Sequence, residues 1–479
     1  MPRFGGFVVL VASVMGMPSL ASAQNTNDIN AGIQFDFSLP GGRSLAMAGA
    51  FVALADDATA AYSNPAGLSV LSRPEMSAEG RHWGFATPVS SVGHAFGPPS
   101  NRGLDTIAGL VDTTVSSRAT SPSFVSAVYP TRRWAVAVFR HQLTRFNTSK
   151  QIQGPYFDCA GGFRGDDPPR APFCEDGARD GGVDREFPKQ QRIDLDISSV
   201  GAAGAFKFSE GFSVGVSALR YSFRIDSSNR VFNARGAWWV EPNFSYPENL
   251  ELESTQQGHD HAFGTVVGLL WKPRFDLSVG ASFRQGPKFA FELKTVYGPG
   301  HPCVRESCGV RAGDIIALEE TNPFKVPDSY VVGLAFNPTQ NTTISFEYDR
   351  VQFSQLIDDL RDPARPSEQE SAVVRERMKI DDANQFRVGF EYLKLYPEKI
   401  LALQAGVWYD PDHAMQFRAD DPATGYPAPR WAVLFPPGKT ALHLTAGIGL
   451  VFSEHLQIDS GFDYSRAAKT LSVSAVWMY

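Results

Sequence analysis

Gly211-Phe212-Ser213-Val214-Gly215 has the G-x-S-x-G spacing of a serine nucleophile. That chemistry needs a sharp strand-to-helix turn, which lifts the hydroxyl clear of the backbone. Here the pentapeptide lies in a run with two-residue alternation. Ser213 therefore takes one face of a strand, and no enzyme activity is expected. His259-Asp260-His261 offers two imidazoles and a carboxylate, but no further ligand follows at metal spacing. No metal or cofactor is expected. Asn147-Thr148-Ser149 and Asn341-Thr342-Thr343 match glycosylation acceptors and read as ordinary polar surface. Cys159, Cys174, Cys303 and Cys308 are an even set, which suits disulfides in an oxidising compartment. Of the three possible connectivities, the local pairs Cys159–Cys174 and Cys303–Cys308 are the simplest.

The other chemistry is charge set into an apolar repeat. Phe386, Val388, Phe390 and Tyr392 share one face of a period-two segment, while Gln385, Arg387, Gly389 and Glu391 share the other. The same alternation runs through 275–284, 344–349, 456–465 and 471–479, and is the signature of half-buried strands. It sets Asp194, Asp196, Asp276, Arg284, Glu347, Asp349, Arg387, Glu391, Asp459 and Asp463 opposite the large apolar side chains. If the apolar face meets lipid, a charge there costs about 2–4 kcal/mol at the membrane midplane, so the charges must line an interior. Arg284 and Arg387 then have two readings. They pair with interior carboxylates, or one forks onto the anionic head group of a ligand.

Fourteen segments can carry this pattern: 75–85, 121–129, 132–143, 192–206, 211–225, 261–271, 274–294, 328–337, 341–354, 383–393, 399–409, 439–452, 454–465 and 470–479. Their connections alternate short and long. A soluble sandwich has no reason to keep that rule; a transmembrane barrel with tight turns at one end does. All four cysteines fall in long connections. The expected fold is all-β, an antiparallel transmembrane barrel over 73–479, with its last strand ending at Tyr479 and pairing with the first to remove both sheet edges.

Composition agrees. The 479 residues are 20% charged and 12% aromatic, too little charge and too many rings for a disordered chain. A net charge of −7 offers no basic surface to nucleic acid. Mean hydropathy is −0.19, and past the N-terminus no apolar run approaches the ~20 residues a membrane helix needs. Arg3, an apolar stretch over 4–20 and Ala21-Ser22-Ala23 make residues 1–23 a cleaved export signal.

Residues 24–72 lack the alternation and are rich in Gly and Ala. A barrel of this size has a lumen wider than its own side chains fill, so this segment is expected as a hatch inside it. Ala31-Gly32-Ile33-Gln34-Phe35, Gly49-Ala50-Phe51-Val52-Ala53-Leu54-Ala55-Asp56-Asp57-Ala58 and Asn64-Pro65-Ala66-Gly67-Leu68 resemble the N-terminal hatch of the FadL-type outer-membrane transporters for long-chain fatty acids and other hydrophobic compounds. Val326-Pro327-Asp328-Ser329-Tyr330 and Ile344-Ser345-Phe346-Glu347-Tyr348 resemble strand starts of that family. The resemblance spans nearly the whole mature chain. It implies a monomeric barrel in the bacterial outer membrane and passive uptake of hydrophobic molecules, long-chain fatty acids first. The implied partners are that ligand, outer-membrane lipid and lipopolysaccharide, and the barrel-assembly machinery. The rival reading is a barrel scaffold that assembles or exports surface proteins, which predicts no buried apolar lining. The chain departs from the family in having residues 24–30 ahead of the Ala-Gly-Ile-Gln motif. The third strand of the family is kinked and opens a lateral gate, yet 132–143 contains no Gly or Pro to mark a kink.

Two places carry the expected function. If Phe212, Val214, Val216 and Ala218 face lipid, then Leu219, Tyr221, Phe223 and Ile225 face inward as an apolar patch for a hydrophobic ligand. The alternative is a β-bulge that flips their register. In the hatch, Pro65 lacks an N–H and restricts Asn64 to extended or turn geometry. Asn64, Pro65 and Ala66 then form the gating element, with the Asn64 amide bridging hatch and wall. The alternative is that Asn64 only shapes a turn.

Overall fold

The computed structural model describes residues 37–95, 98–99, 101, 105–158, 183–185, 188–232, 245–305, 308–358, 378–417, 438–453 and 455–479. The export signal, the 31–35 motif, Cys159 and Cys174 lie outside them. Fourteen strands form one closed antiparallel sheet. They are β1 (Glu75–His94), β2 (Gly109–Pro130), β3 (Trp134–Ile152), β4 (Lys189–Ser209), β5 (Phe212–Phe232), β6 (Leu250–Arg274), β7 (Leu277–Arg284 and Lys288–Tyr297), β8 (Ile315–Lys325 and Ser329–Thr339), β9 (Thr342–Val351), β10 (Ala383–Leu395), β11 (Ile400–Asp410), β12 (Ala441–Ser453), β13 (Leu456–Tyr464) and β14 (Ala468–Met478). Closure runs from Glu75↔Met478 to Phe85↔Ala468, so the sheet has no edge there. Among the described residues no helix is long and apolar enough to cross a membrane.

The outward face carries an apolar band, with Leu442, Leu444 and Ile448 on β12 and Leu471 and Val473 on β14. Aromatic side chains border it: Trp134, Phe206, Trp271 and Trp477 at the end with tight turns, Tyr330, Tyr348, Tyr409 and Tyr464 at the other. Such paired girdles are what a membrane barrel requires.

β1 to β8 run well past this band at the outer end, beyond where the sequence pattern placed their ends. Many of their outward residues there are polar, among them Arg192, Asp194, Arg224 and Arg230, with Leu110 and Leu318 also exposed, so the contrast that marks a strand at the membrane weakens although the ladder continues. Asp194 and Asp196 are corrected by this. They point outward on β4, where Arg224 and Arg145 approach them at 3.7 and 3.9 Å. No lipid penalty forces a charge inward above the band. Ile315–Lys325, expected as loop, is strand and pairs with the upper part of β7.

β7 and β8 break at one level, at Gln285-Gly286-Pro287 and Val326-Pro327-Asp328. Proline donates nothing to a ladder and belongs at such irregularities. Asp328 patches the break, accepting from Gly286 N at 2.8 Å and from Lys325 Nζ at 2.7 Å. Below the break, even-numbered residues of β7 are buried; above it, odd-numbered ones are. The step therefore turns Phe289, Phe291 and Leu293 inward.

Residues 37–72 fold inside the barrel around α1 (Gly42–Ala46), α2 (Ala60–Ser63) and a 3₁₀ turn (Pro65–Val70).

Candidate functional site: the lumen and its hatch

The apolar patch is regular β-strand. Pairing of β5 with β4 and β6 is unshifted from Val214 to Val231, so the bulge alternative does not hold. Ser213, Gly215 and Ser217 meet the hatch below. Leu219, Tyr221, Phe223 and Ile225 are buried in the lumen above it. Phe223 stacks on Phe289 at 4.7 Å between ring centroids and meets Phe324 at 5.2 Å. Phe124, Phe139, Phe146, Leu195 and Ile197 continue the same cluster over β2, β3 and β4. Ring pairs of this kind exchange readily for ring–ligand or chain–ligand contacts.

The two lumen arginines have different surroundings. Arg387 is fully engaged: Nε donates to Asp349 at 2.6 Å, Nη2 to Gln385 at 2.6 Å and Nη1 to the Ala48 carbonyl of the hatch at 3.0 Å. Its guanidinium also lies 4.4 Å from the Trp408 ring centroid. Arg284 lies 4.3 Å over the ring of Tyr62, a hatch residue, and its buried Nε has no partner among the described residues. Tyr62 is also stacked on His141 at 3.8 Å. Trp83 Nε1, Ser121 Oγ, His141 Nδ1 and Ser199 Oγ are likewise buried without a partner among the described residues. Ser199 stands opposite His141 on the neighbouring strand. Buried donors without acceptors are costly, and these belong to the lumen wall beside the apolar cluster.

The hatch is held by two kinds of contact. Toward β9–β13 most involve a charged group, beside one neutral bond from Thr445 to Ala46 O at 2.7 Å. Arg43 forks onto Glu391 with both bonds at 2.8 Å and reaches Asp56 at 2.6 Å. The Asp56 side chain is partly exposed, and the adjacent Arg43 guanidinium holds its carboxyl below the ordinary range. Glu347 accepts from Phe51 N at 2.8 Å and Val52 N at 2.7 Å. Toward β2, β5 and β6 the contacts are neutral. Ser126, Ser213 and Ser217 donate to the carbonyls of Ala58, Ala66 and Ala61. Asn64 is wholly buried. Its Nδ2 donates to Val52 O in the hatch at 2.8 Å and to Leu269 O in β6 at 3.0 Å; its Oδ1 accepts from Ala66 N at 3.2 Å. Both donors and the acceptor of the amide are therefore used, one of the three bonds reaching the wall.

Sequence reasoning missed the seat beneath these contacts. Lumen-facing glycines on several strands lie against the hatch. Gly215 faces Gly268, Gly280 faces Gly333, and Gly447 faces Gly461. A Cβ on Gly268 would stand 2.1 Å from Asn64 Oδ1, and one on Gly280 2.3 Å from Val52 O. Only glycine lets the two backbones approach this closely. The available signal was glycine recurring mid-strand on the inward face. Tyr62 and Arg43, read only as part of the hatch, carried no comparable signal.

The wall has a seam. β2 and β3 pair from Pro130↔Ala135 up to Phe124↔His141 and no further, although β2 continues on β1 and β3 on β4. β3 bulges between Gln142 and Thr144. Side chains close the seam: Arg140 donates to Pro122 O at 2.8 Å, Ser117 to Asn147 O at 2.7 Å, and Thr148 to Ser116 O at 3.4 Å. No Gly or Pro marks the bulge in β3, so the sequence was silent.

Ser213 donates to Ala66 O at 3.1 Å and serves as a hatch contact. His259 and His261 point outward, while Asp260 turns to Ala290 N at 2.8 Å, so alternation separates the three side chains. Cys308 N donates to Cys303 O at 3.0 Å in one outer turn, but no disulfide joins the two side chains. The backbone bond sets their approach there.

Several solved structures share this architecture. A Pseudomonas aeruginosa FadL homologue matches with a TM-score of 0.60 at 12% identity, covering 93% of this chain and 100% of that one. The CymD monoaromatic hydrocarbon channel gives 0.54 at 16%, covering 93% and 99%. The P. putida toluene transporter TodX gives 0.53 at 14%, covering 93% and 99%. No curated protein matches the chain by sequence. At these identities the structures establish the fold alone. A family model is more specific: that of the outer membrane protein transport proteins (OMPP1/FadL/TodX) matches residues 189–474, more than half of the chain. The chain belongs to the OMPP1/FadL/TodX family of outer membrane transport proteins.

Proposed function

We propose that this protein is an outer-membrane channel for passive uptake of hydrophobic molecules, and that its ligand is a long-chain fatty acid. The acyl chain lies along Leu219, Tyr221 and Phe223, and the carboxylate meets Arg284. The observation that carries this reading is the contrast between the arginines. Arg387 has a protein partner on every nitrogen. Arg284 keeps a buried Nε beside the apolar cluster with no partner among the described residues. A guanidinium there is suited to a carboxylate. Structurally similar channels are named for toluene and monoaromatic hydrocarbons, which need no such group. The buried apolar lining also favours uptake over the scaffold alternative.

Release runs through displacement of the hatch around Asn64-Pro65-Ala66. The β2–β3 seam supports a second, sideways exit into the bilayer, because only side chains close it.

The test is equilibrium binding of oleate and of an uncharged hydrocarbon of matched length to wild type and Arg284→Gln. A charged hydrogen bond contributes about 1.5–3 kcal/mol. Oleate affinity should therefore fall by about tenfold or more, with hydrocarbon affinity unchanged. Equal losses for both ligands, or none for oleate, would sink the assignment. Phe223→Ala should weaken both ligands.

A further inference from the structure

We propose that Arg118 and Lys469 form a binding site for the phosphate of an outer-leaflet lipid, on the outside of the barrel and remote from the lumen. The site rests on the outer-membrane placement argued above but not on the identity of the transported ligand.

Gly84 of β1 pairs with Arg118 of β2 on one side and with Lys469 of β14 on the other. All three residues belong to the outward face, and both cations are exposed. Like charges on one rung of a sheet repel. Several other cations on the outer part of this face are neutralised. Arg145, Arg224, Arg230 and Arg350 have carboxylates at 3.9, 3.7, 2.8 and 2.9 Å. Neither Arg118 nor Lys469 has an ion-pair partner among the described residues.

The two cations flank Gly84 on the strands either side of it. A Cβ on Gly84 would lie 3.6 Å from Arg118 Cγ, so the arginine stem leans over the glycine. The absent side chain leaves space between the two cations. On the far side, the Lys469 ammonium is 5.3 Å from the Tyr464 ring centroid, on the next strand of the same rung. That aromatic belongs to the outer girdle. Toward the membrane, the next outward residue of β14 is Leu471, followed by Val473. Away from it, the chain turns at 465–467. The cations therefore stand where the apolar face ends, at the level of lipid head groups.

An anion placed over Gly84 would relieve the repulsion and take a forked bond from the guanidinium. A phosphorylated glycolipid of the lipid A class supplies that anion, and its acyl chains would continue down the Leu471–Val473 face. This continuity favours lipid phosphate over a soluble one.

The full chain, purified and delipidated, is mixed in mild detergent with bisphosphorylated lipid A or with its dephosphorylated analogue. Native mass spectrometry then counts the adducts. Wild type should retain the bisphosphorylated lipid about tenfold better than the R118Q/K469Q double variant. Retention of the dephosphorylated analogue should not differ between them. Arg224→Gln, which removes a paired outward arginine, should behave as wild type. Millimolar inorganic phosphate should leave the adduct in place. Equal retention by wild type and double variant, equal retention of both lipids by wild type, or displacement by inorganic phosphate would each overturn the proposal. So would a double variant that no longer shows the heat-dependent gel shift of a closed barrel, since the two cations would then be structural. Oleate binding to the double variant should be unchanged, which separates this site from the lumen.

Discussion

Between β9 and β13 the hatch meets carboxylates, a guanidinium and one threonine hydroxyl; between β2 and β6 it meets serine hydroxyls, and its own Asn64 reaches a wall carbonyl. The first half of the hatch, with Arg43, Ala48, Phe51 and Val52, is bound by charge. The second half, with Ala58, Ala61, Asn64 and Ala66, is bound by neutral hydrogen bonds. The apolar cluster lies in the sector of the neutral half. An ion pair in a lumen of low dielectric costs several kcal/mol to break, whereas neutral bonds exchange at about one each. The charged half is therefore an anchor and the neutral half is the part that can move, on the side where the ligand is expected.

The strongest way to break this comparison is Arg43→Ala. It leaves Glu391, whose side chain is 3% exposed, without its fork, at about 3–5 kcal/mol. Protease accessibility of the hatch and single-channel conductance should both rise. Unchanged values would remove the ionic sector as the anchor.

Asn64→Ala comes next, at about 1–3 kcal/mol, because Val52 O and Leu269 O lose their donor. Asn64→Asp should not rescue it, since a carboxylate would face those carbonyls. If aspartate supports normal uptake at matched surface levels, the residue only shapes a turn.

Ser217→Ala sharpens the neutral side. Loss of the 2.7 Å bond to Ala61 O should cost about 0.5–1.5 kcal/mol. Hydrogen exchange should quicken at Tyr62 and not at Phe51.

The smallest effect is with acid. Asp56 titrates below its ordinary range in the folded hatch. Its stabilisation is fully present above the unfolded value and is lost as pH falls through the lowered one. Exchange at Leu45 should therefore quicken only below the ordinary carboxylate range, with Tyr62 unaffected. Equal response of both halves would mean that charge does not distinguish them.

The expectations about Asn64 and Ser213 came from local chemistry and needed little more than a face and a neighbour. Asn64 precedes proline in a segment without alternation, and its amide was bound to seek partners on both sides. Phe223 was placed by parity, which survives as long as the ladder has no shift. At Asp194 and Asp196 the alternation holds but the face was assigned wrongly, because the sequence does not show where the membrane ends along a strand. Phe289 and Phe324 were equally hidden, because the proline step at 285–287 changes which residues turn inward.

What the sequence determined by itself is what depends on neighbours two residues apart. That includes the inward and outward faces, the number of strands, the plugging segment and the charges that must avoid lipid. What the tertiary structure decided is which of those inward groups meet. Arg284 and Arg387 are alike in the sequence, each a cation on the interior face of a strand. The fold sets carboxylate, amide and carbonyl partners around Arg387, and a tyrosine ring with an unpartnered nitrogen at Arg284. Closing fourteen strands into a barrel fixes these neighbours across the lumen, at separations in sequence of more than two hundred residues, and no local pattern encodes a distance of that kind.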